Sequence, residues 1–206
     1  MTRTLITLGL IGFAAANSGP AYAYSLNGYS WDTCPTEVTF YVNPDNLPSS
    51  AGSDAEVVAA FAWAVDEWNS AGANISIVSG GQTTSGYSTD GLNVFSADTG
   101  YGATSLMVSD ENITSAGTAI QECDIQIYDQ YEFGLSDVPW VSDGSPASDE
   151  LDLRSDFLAE IGYCLGLDFV STTGGAMSDP LVLGDTHSVS SDDANGLIAL
   201  YGPACD

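Results

Sequence analysis

The chain has 206 residues, with 28 Asp and Glu against two Arg and no Lys, for a formal net charge of −26. A balance this acidic excludes nucleic acid and anionic membranes as natural partners, since both would bring more negative charge to the surface. The apolar fraction, 44%, is that of an ordinary globular chain, so a hydrophobic core is expected in spite of the charge. Two settings make the charge tolerable. Salt screens the repulsion that opposes compaction, and Ca²⁺ draws on clustered oxygen ligands. A saline environment is the favoured reading, and the two can coexist.

Residues 1–23 read as a secretory signal. Arg3 supplies the positive start, Leu5 to Ala16 is an apolar run too short to span a bilayer, and Ala21-Tyr22-Ala23 is a cleavage site. The mature chain then begins at Tyr24, is exported without membrane insertion, and is long enough over residues 24–206 for one domain with a core. Four cysteines, Cys34, Cys123, Cys164 and Cys205, read as two disulfides in an exported chain, with three pairings open. Joining Cys34 to Cys205 would clip the ends together and leave Cys123 to hold a strand to a helix at Cys164. None forms a C-x-x-C pair, which argues against a metal knuckle.

Glu37 to Val42 alternates and is rich in β-branched and aromatic residues, so a strand is expected. Pro44 and Pro48 punctuate the next loop. Ser53 or Asp54 caps a helix through Trp68, with Val57, Val58, Phe61, Val65 and Trp68 on one face and Trp63 off that stripe. Asn74 to Val78 is a second strand, Gly80 to Gly91 a long polar loop, and Leu92 to Phe95 a third strand. Strands follow at Thr104 to Val108 and Glu122 to Tyr128, joined by a polar turn. Asp98, Asp110, Glu111 and Asp129 fall in or beside loops where Ca²⁺ could collect. No EF-hand run is present, and solvated surface acids are the default reading.

Leu151 to Phe169 predicts a helix with a sharp stop. Asp152 caps it, Leu153, Phe157, Leu158, Ile161 and Leu165 form an apolar face, and Gly166 can take the left-handed conformation that ends it. A last helix, Ala194 to Tyr201, is capped from Ser190 to Asp193 and buries Leu197, Ile198 and Tyr201.

The long helix has the register of a known pattern, H-E-x-x-H-x-x-G-x-x-H followed by a Met-turn. Glu160 falls on the Glu, Gly166 on the Gly, and Met177, in Gly174-Gly175-Ala176-Met177, on the turn. With the order of strands and helices around it, the chain resembles the catalytic domain of the matrixins, which are metzincin zinc peptidases. The resemblance implies an α+β fold. Its twisted, mixed five-stranded sheet has one antiparallel edge strand, and it packs on two long helices plus a short C-terminal helix. It also places Glu160 at the general-base position, Met177 under the metal, and the three metal-ligand positions at Ala159, Tyr163 and Phe169.

None of these three is a histidine, and the chain's only one, His187, lies beyond Met177. Ala159 and Phe169 offer no donor atom, and a phenol with an ordinary pKa of about 10 is protonated at neutral pH. A general base contributes about 10²–10⁴-fold, but the metal makes the nucleophile, so Glu160 alone would not support peptide hydrolysis. The expectation is a secreted, catalytically inactive pseudopeptidase without zinc, with Ca²⁺ left open, holding an extended peptide or protein in the former substrate cleft by strand addition. The alternative is an active zinc endopeptidase with atypical ligands among Tyr163, Asp168, Glu160 and His187. A Ser-His-Asp set built on His187 with Ser188 or Ser190 would lack the G-x-S-x-G elbow.

Overall fold

The computed structural model describes residues 24–32, 36–98, 109–128, 139–171, 173–179 and 181–203. They form an α+β arrangement, three α-helices against a mostly parallel sheet. The strands are β1 (Ser25–Leu26), β2 (Ser30–Trp31), β3 (Thr36–Val42), β4 (Ile75–Gln82), β5 (Asn93–Asp98), β6 (Ser109–Ala116), β7 (Ala119–Tyr128), β8 (Trp140–Val141), β9 (Leu151–Asp152) and β10 (Leu167–Asp168). The helices are α1 (Asp54–Asn69), α2 (Leu153–Cys164) and α3 (Ser191–Tyr201). Neighbours β4, β3, β5 and β7 run parallel, β6 returns antiparallel along β7, and β2 joins the start of β7 in parallel. The sheet therefore counts six strands, because the two-residue β2 adds to it from the N-terminal segment.

Local chemistry explains the helices. Ser53 and Glu56 form a reciprocal cap on α1: Ser53 Oγ accepts from the Glu56 N–H, and the Glu56 carboxylate accepts from the Ser53 N–H at 2.8 Å. Helix α1 buries Val57, Ala60, Phe61, Ala64, Val65 and Trp68. In β3 the alternation holds: Val38, Phe40 and Val42 are buried, while Thr39 and Tyr41 are half-buried. Between sheet and helices lies an aromatic cluster. Phe95 of β5 meets Phe40 of β3 at 6.1 Å, Phe61 of α1 at 5.1 Å and Phe157 of α2 at 5.5 Å between ring centroids. These tilted and edge-on contacts favour the aromatic quadrupoles and fix the two helices on the sheet.

Several strand assignments differ from the sequence reading; β5, for one, runs on to Asp98 rather than ending at Phe95. Strand β4 continues to Gln82, so the polar loop begins at Thr83, three residues later than Gly80. The extension follows β3, whose Val42 pairs with Gln82 past an irregularity in register. Gly80 is needed there, since a Cβ on it would overlap the Tyr41 ring. Residues read as a polar turn instead form the edge strand β6, and β7 starts at Ala119 rather than Glu122. An edge strand needs only one paired side, so Ser109–Ala116 carries no hydrophobic alternation. The expected strand at residues 104–108 lies outside the described residues.

The loop between β4 and β5 is pinned to β7 by two buried carboxylates. Glu122 accepts from the Asp90 and Gly91 N–H groups at 2.9 and 3.1 Å, and Asp124 from Ser88 and Val94 at 3.0 and 2.9 Å. Burial is the main force on Asp124, followed by the opposing backbone bonds and then by repulsion from Glu122 and Asp90. Its pKa is pushed up to about 6. A disulfide joins Cys123 of β7 to Cys164 of α2; Cys34 and Cys205 lie outside the described residues. No helix among the described residues is long and apolar enough to cross a membrane.

Two outcomes follow from this packing. The Cys123–Cys164 bridge closes a 41-residue separation, and the double Cys→Ala variant is expected to lose about 2–5 kcal/mol in urea unfolding. Asp124 has a native pKa above its unfolded value, so its stabilising contribution is full below about pH 4 and is lost as pH rises through about 6. In urea melts from pH 4 to pH 7, the stability advantage of the wild type over Asp124→Asn is expected to shrink as pH rises. A constant gap would contradict the assignment.

Candidate functional site

Helix α2 is enclosed on nearly every side: of its residues only Arg154 and Tyr163 are half-buried. Its start is held by Asp152, whose carboxylate accepts from the Ser155 N–H at 3.1 Å and the Arg154 N–H at 3.4 Å. The Ser155 hydroxyl donates to the same carboxylate and accepts from the His187 N–H at 2.7 Å. Burial pushes the Asp152 pKa up, against these hydrogen bonds and the Arg154 charge.

The other end of α2 leaves carbonyls without helical partners, and distant segments supply them. Asn27 Nδ2 donates to Tyr163 O at 2.9 Å, Trp31 Nε1 to Cys164 O at 2.8 Å, Tyr201 Oη to Leu165 O at 2.7 Å, and the Asn27 N–H to Gly166 O at 3.1 Å. Gly166 has φ of +102°, and a Cβ there would overlap the Tyr29 carbonyl oxygen. Glycine is required on both counts. Strand β1 then pairs with β10 just past this stop.

The segment carrying Met177 folds back beneath α2. Met177 Sδ and the Trp68 ring lie so close to Gly162 that a Cβ there would overlap both, and Trp68 Nε1 donates to Leu158 O at 2.8 Å. Met177 is buried, 1% exposed, as the apolar floor under the helix. Its turn is held by Asp193, a residue the sequence reading took only for a helix cap. The carboxylate accepts from Ala176 at 2.9 Å, Met177 at 3.4 Å and Ser190 at 2.8 Å. The only sequence signal was the Ser190–Asp193 spacing of a reciprocal cap, also present here.

Two of the three positions aligned with metal ligands come together. The Tyr163 and Phe169 rings stack with centroids 5.5 Å apart and planes 16° from parallel, and both are half-buried. Ala159 is buried, one turn before Tyr163, and Glu160 is 4% exposed. Burial first, then the nearby Glu111, Asp168, Glu160 and Tyr29, push the Tyr163 phenol pKa above its ordinary value. A phenol so placed gives up its proton less readily than a free tyrosine, and its ring is committed to a stack. Ala159, Tyr163 and Phe169 therefore do not fit a zinc ion, which needs donor atoms in their deprotonated form.

The remaining candidates lie elsewhere. His187 is buried near the start of α2, with Asp185, Asp152 and Asp193 around it; burial lowers its pKa despite these acids. A triad histidine donates Nδ1–H to a carboxylate, whereas His187 Nδ1 is buried with no hydrogen-bond partner among the described residues. Ser190 is occupied in capping α3. Asp168 accepts from the Phe169 N–H at 2.9 Å and the Ser25 hydroxyl at 3.4 Å. Arg154 does not reach toward Glu160. Its guanidinium lies over Trp63, 5.6 Å from the ring centroid, with Nε donating to Ser142 O at 2.9 Å, which accounts for Trp63 standing off the α1 stripe. Of the acids expected near loops, Glu111 sits within β6, where pairing to β7 carries the chain through a stretch whose polarity suggested a loop. Asp129 and the side chains of Asp98 and Asp110 lie outside the described residues. Among the described residues no three His, Cys, Asp or Glu side chains converge on a point that could hold a metal ion.

No protein-family model matches the chain, and no curated protein matches it.

Removing the Asp193 carboxylate would strand three backbone N–H groups, those of Ala176 and Met177 in the interior and that of Ser190 at its margin. Asp193→Ala is expected to cost roughly 2–4 kcal/mol in urea unfolding, with Asp193→Asn, which keeps one acceptor oxygen, losing less. A loss below about 1 kcal/mol for the alanine variant would show that the turn does not depend on it.

Proposed function

We propose that the protein is a secreted pseudopeptidase on a metzincin-like scaffold, without catalytic zinc, whose cleft holds an extended peptide or protein segment. The reading is carried by the stacked pair Tyr163–Phe169, together with Ala159, at the three positions where a metzincin needs ligands. Support comes from the arrangement around it: the antiparallel edge strand β6 beside α2, the Met177 turn below Gly162, and Gly166 at the helix stop. Strand β6 has one edge on β7, and no strand among the described residues pairs with its other edge. That edge offers the backbone groups to which an extended peptide adds. The disulfide agrees with an oxidising compartment.

Glu160 in this reading is a buried carboxylate of the helix rather than a base, since Ala159, Tyr163 and Phe169 do not fit a metal whose bound water it could activate. Zinc held by Tyr163, Asp168, Glu160 and His187 has less support. His187 packs at Ser155, two turns of α2 before Tyr163, and the Asp168 carboxylate is engaged with the Phe169 N–H and the Ser25 hydroxyl.

The reading is tested by returning the ligands. The triple variant Ala159→His, Tyr163→His, Phe169→His is expected to take up zinc in stoichiometric amount in a competition titration, while the parent takes up none. A triple variant that folds, by circular dichroism and urea unfolding, yet takes up no zinc would refute the alignment of this helix.

A further inference from the structure

We infer that the Tyr163–Phe169 platform is a receptor for an organic cation, so that the segment held in the cleft is one that presents an Arg or Lys side chain. The inference rests on the pseudopeptidase reading and adds the ligand's chemistry to it. Four observations carry it.

The first is the pair of rings. Tyr163 and Phe169 stack and are half-buried, so each keeps part of its surface open at positions aligned with the family's zinc ligands. Ring faces have no lone pairs for a small hydrated metal ion, but they attract weakly hydrated polyatomic cations, and guanidinium stacks on them best. The second is what surrounds the rings. Glu111 from β6, Glu160 from α2 and Asp168 from β10 act electrostatically on the Tyr163 phenol. Negative charge thus comes from three separate elements. The third is the lack of competition. After residue 23 the only Lys or Arg is Arg154. It stands nine residues before Tyr163 on α2, about 13 Å along the axis, and is engaged by Ser142 and Trp63. The fourth is place: Glu111 lies on the edge strand that an extended peptide would join, and that strand lies beside α2, which carries Tyr163. Half-buried aromatic rings with carboxylates from three elements acting on them, and no Lys or Arg but Arg154 after residue 23, complement a cation and repel an acidic peptide.

A chain of charge −26 attracts any cation weakly, so the test separates a site from bulk attraction. The probes are two capped pentapeptides, Gly-Gly-Arg-Gly-Gly and its neutral isostere with citrulline in place of Arg. They are titrated at fixed high ionic strength while the Tyr163 and Phe169 ring resonances are followed by NMR. The Arg peptide is expected to give saturable shifts with an affinity about tenfold above that of the citrulline peptide. Phe169→Leu is expected to abolish this preference and Tyr163→Phe, which keeps the ring, to retain it. Should Phe169→Leu fail to fold, Glu111→Gln on the edge strand gives the second reading, with the preference reduced severalfold. Equal affinities for the two peptides, no saturable binding of either, or a preference that survives Phe169→Leu would overturn the proposal. None of these results touches the zinc titration of the His-restored variant, so failure of the cation site and failure of the pseudopeptidase reading are distinguishable.

Discussion

Helix α2 runs through the interior, and most polar groups along it must therefore be satisfied by protein rather than by water. Its first turn is closed by Asp152 and Ser155, and its last carbonyls by Asn27, Trp31 and Tyr201. An unmet buried donor or acceptor costs about 1–3 kcal/mol, so segments far apart in sequence are obliged to meet at the two ends of one helix. The N-terminal segment is thereby part of the site's support. It caps α2, joins β10 through β1, and reaches β7 through β2.

The same enclosure shapes the chemistry. Glycine at 162 lets Met177 and Trp68 lie directly against the helix, and Asp193 holds the Met177 turn from α3. In the proposed reading the positions aligned with metal ligands hold Ala159 and the Tyr163–Phe169 ring stack, and burial raises the phenol pKa. Arg154, the only Lys or Arg after residue 23, is tied to Trp63 and Ser142.

What the sequence made legible was chiefly local. Ser53, Asp152 and Ser190 each cap their helix because capping needs only a side-chain oxygen and the next turn. Leu153, Phe157, Leu158, Ile161 and Leu165 are all fully buried, as their spacing implied. Strand β6 was illegible because an edge strand of Ser, Asp, Glu, Asn and Thr has no apolar period; its identity comes from pairing with β7. The roles of Asn27, Trp31 and Asp193 were illegible for a related reason. Each bonds to backbone far away in sequence, and no local pattern encodes such a partner. Ala159, Tyr163 and Phe169 could be aligned from the helix register, but only the structure brought two of them into contact.

The central claim is that this scaffold holds no zinc at the end of α2, and elemental mass spectrometry of the purified protein, dialysed without chelator, tests it most directly. The account predicts zinc far below stoichiometric amount in protein that is folded and disulfide-bonded. Stoichiometric zinc that survives dialysis, and is lost on replacing Glu160 or Asp168, would contradict it and restore a metal centre built from the acids around Tyr163.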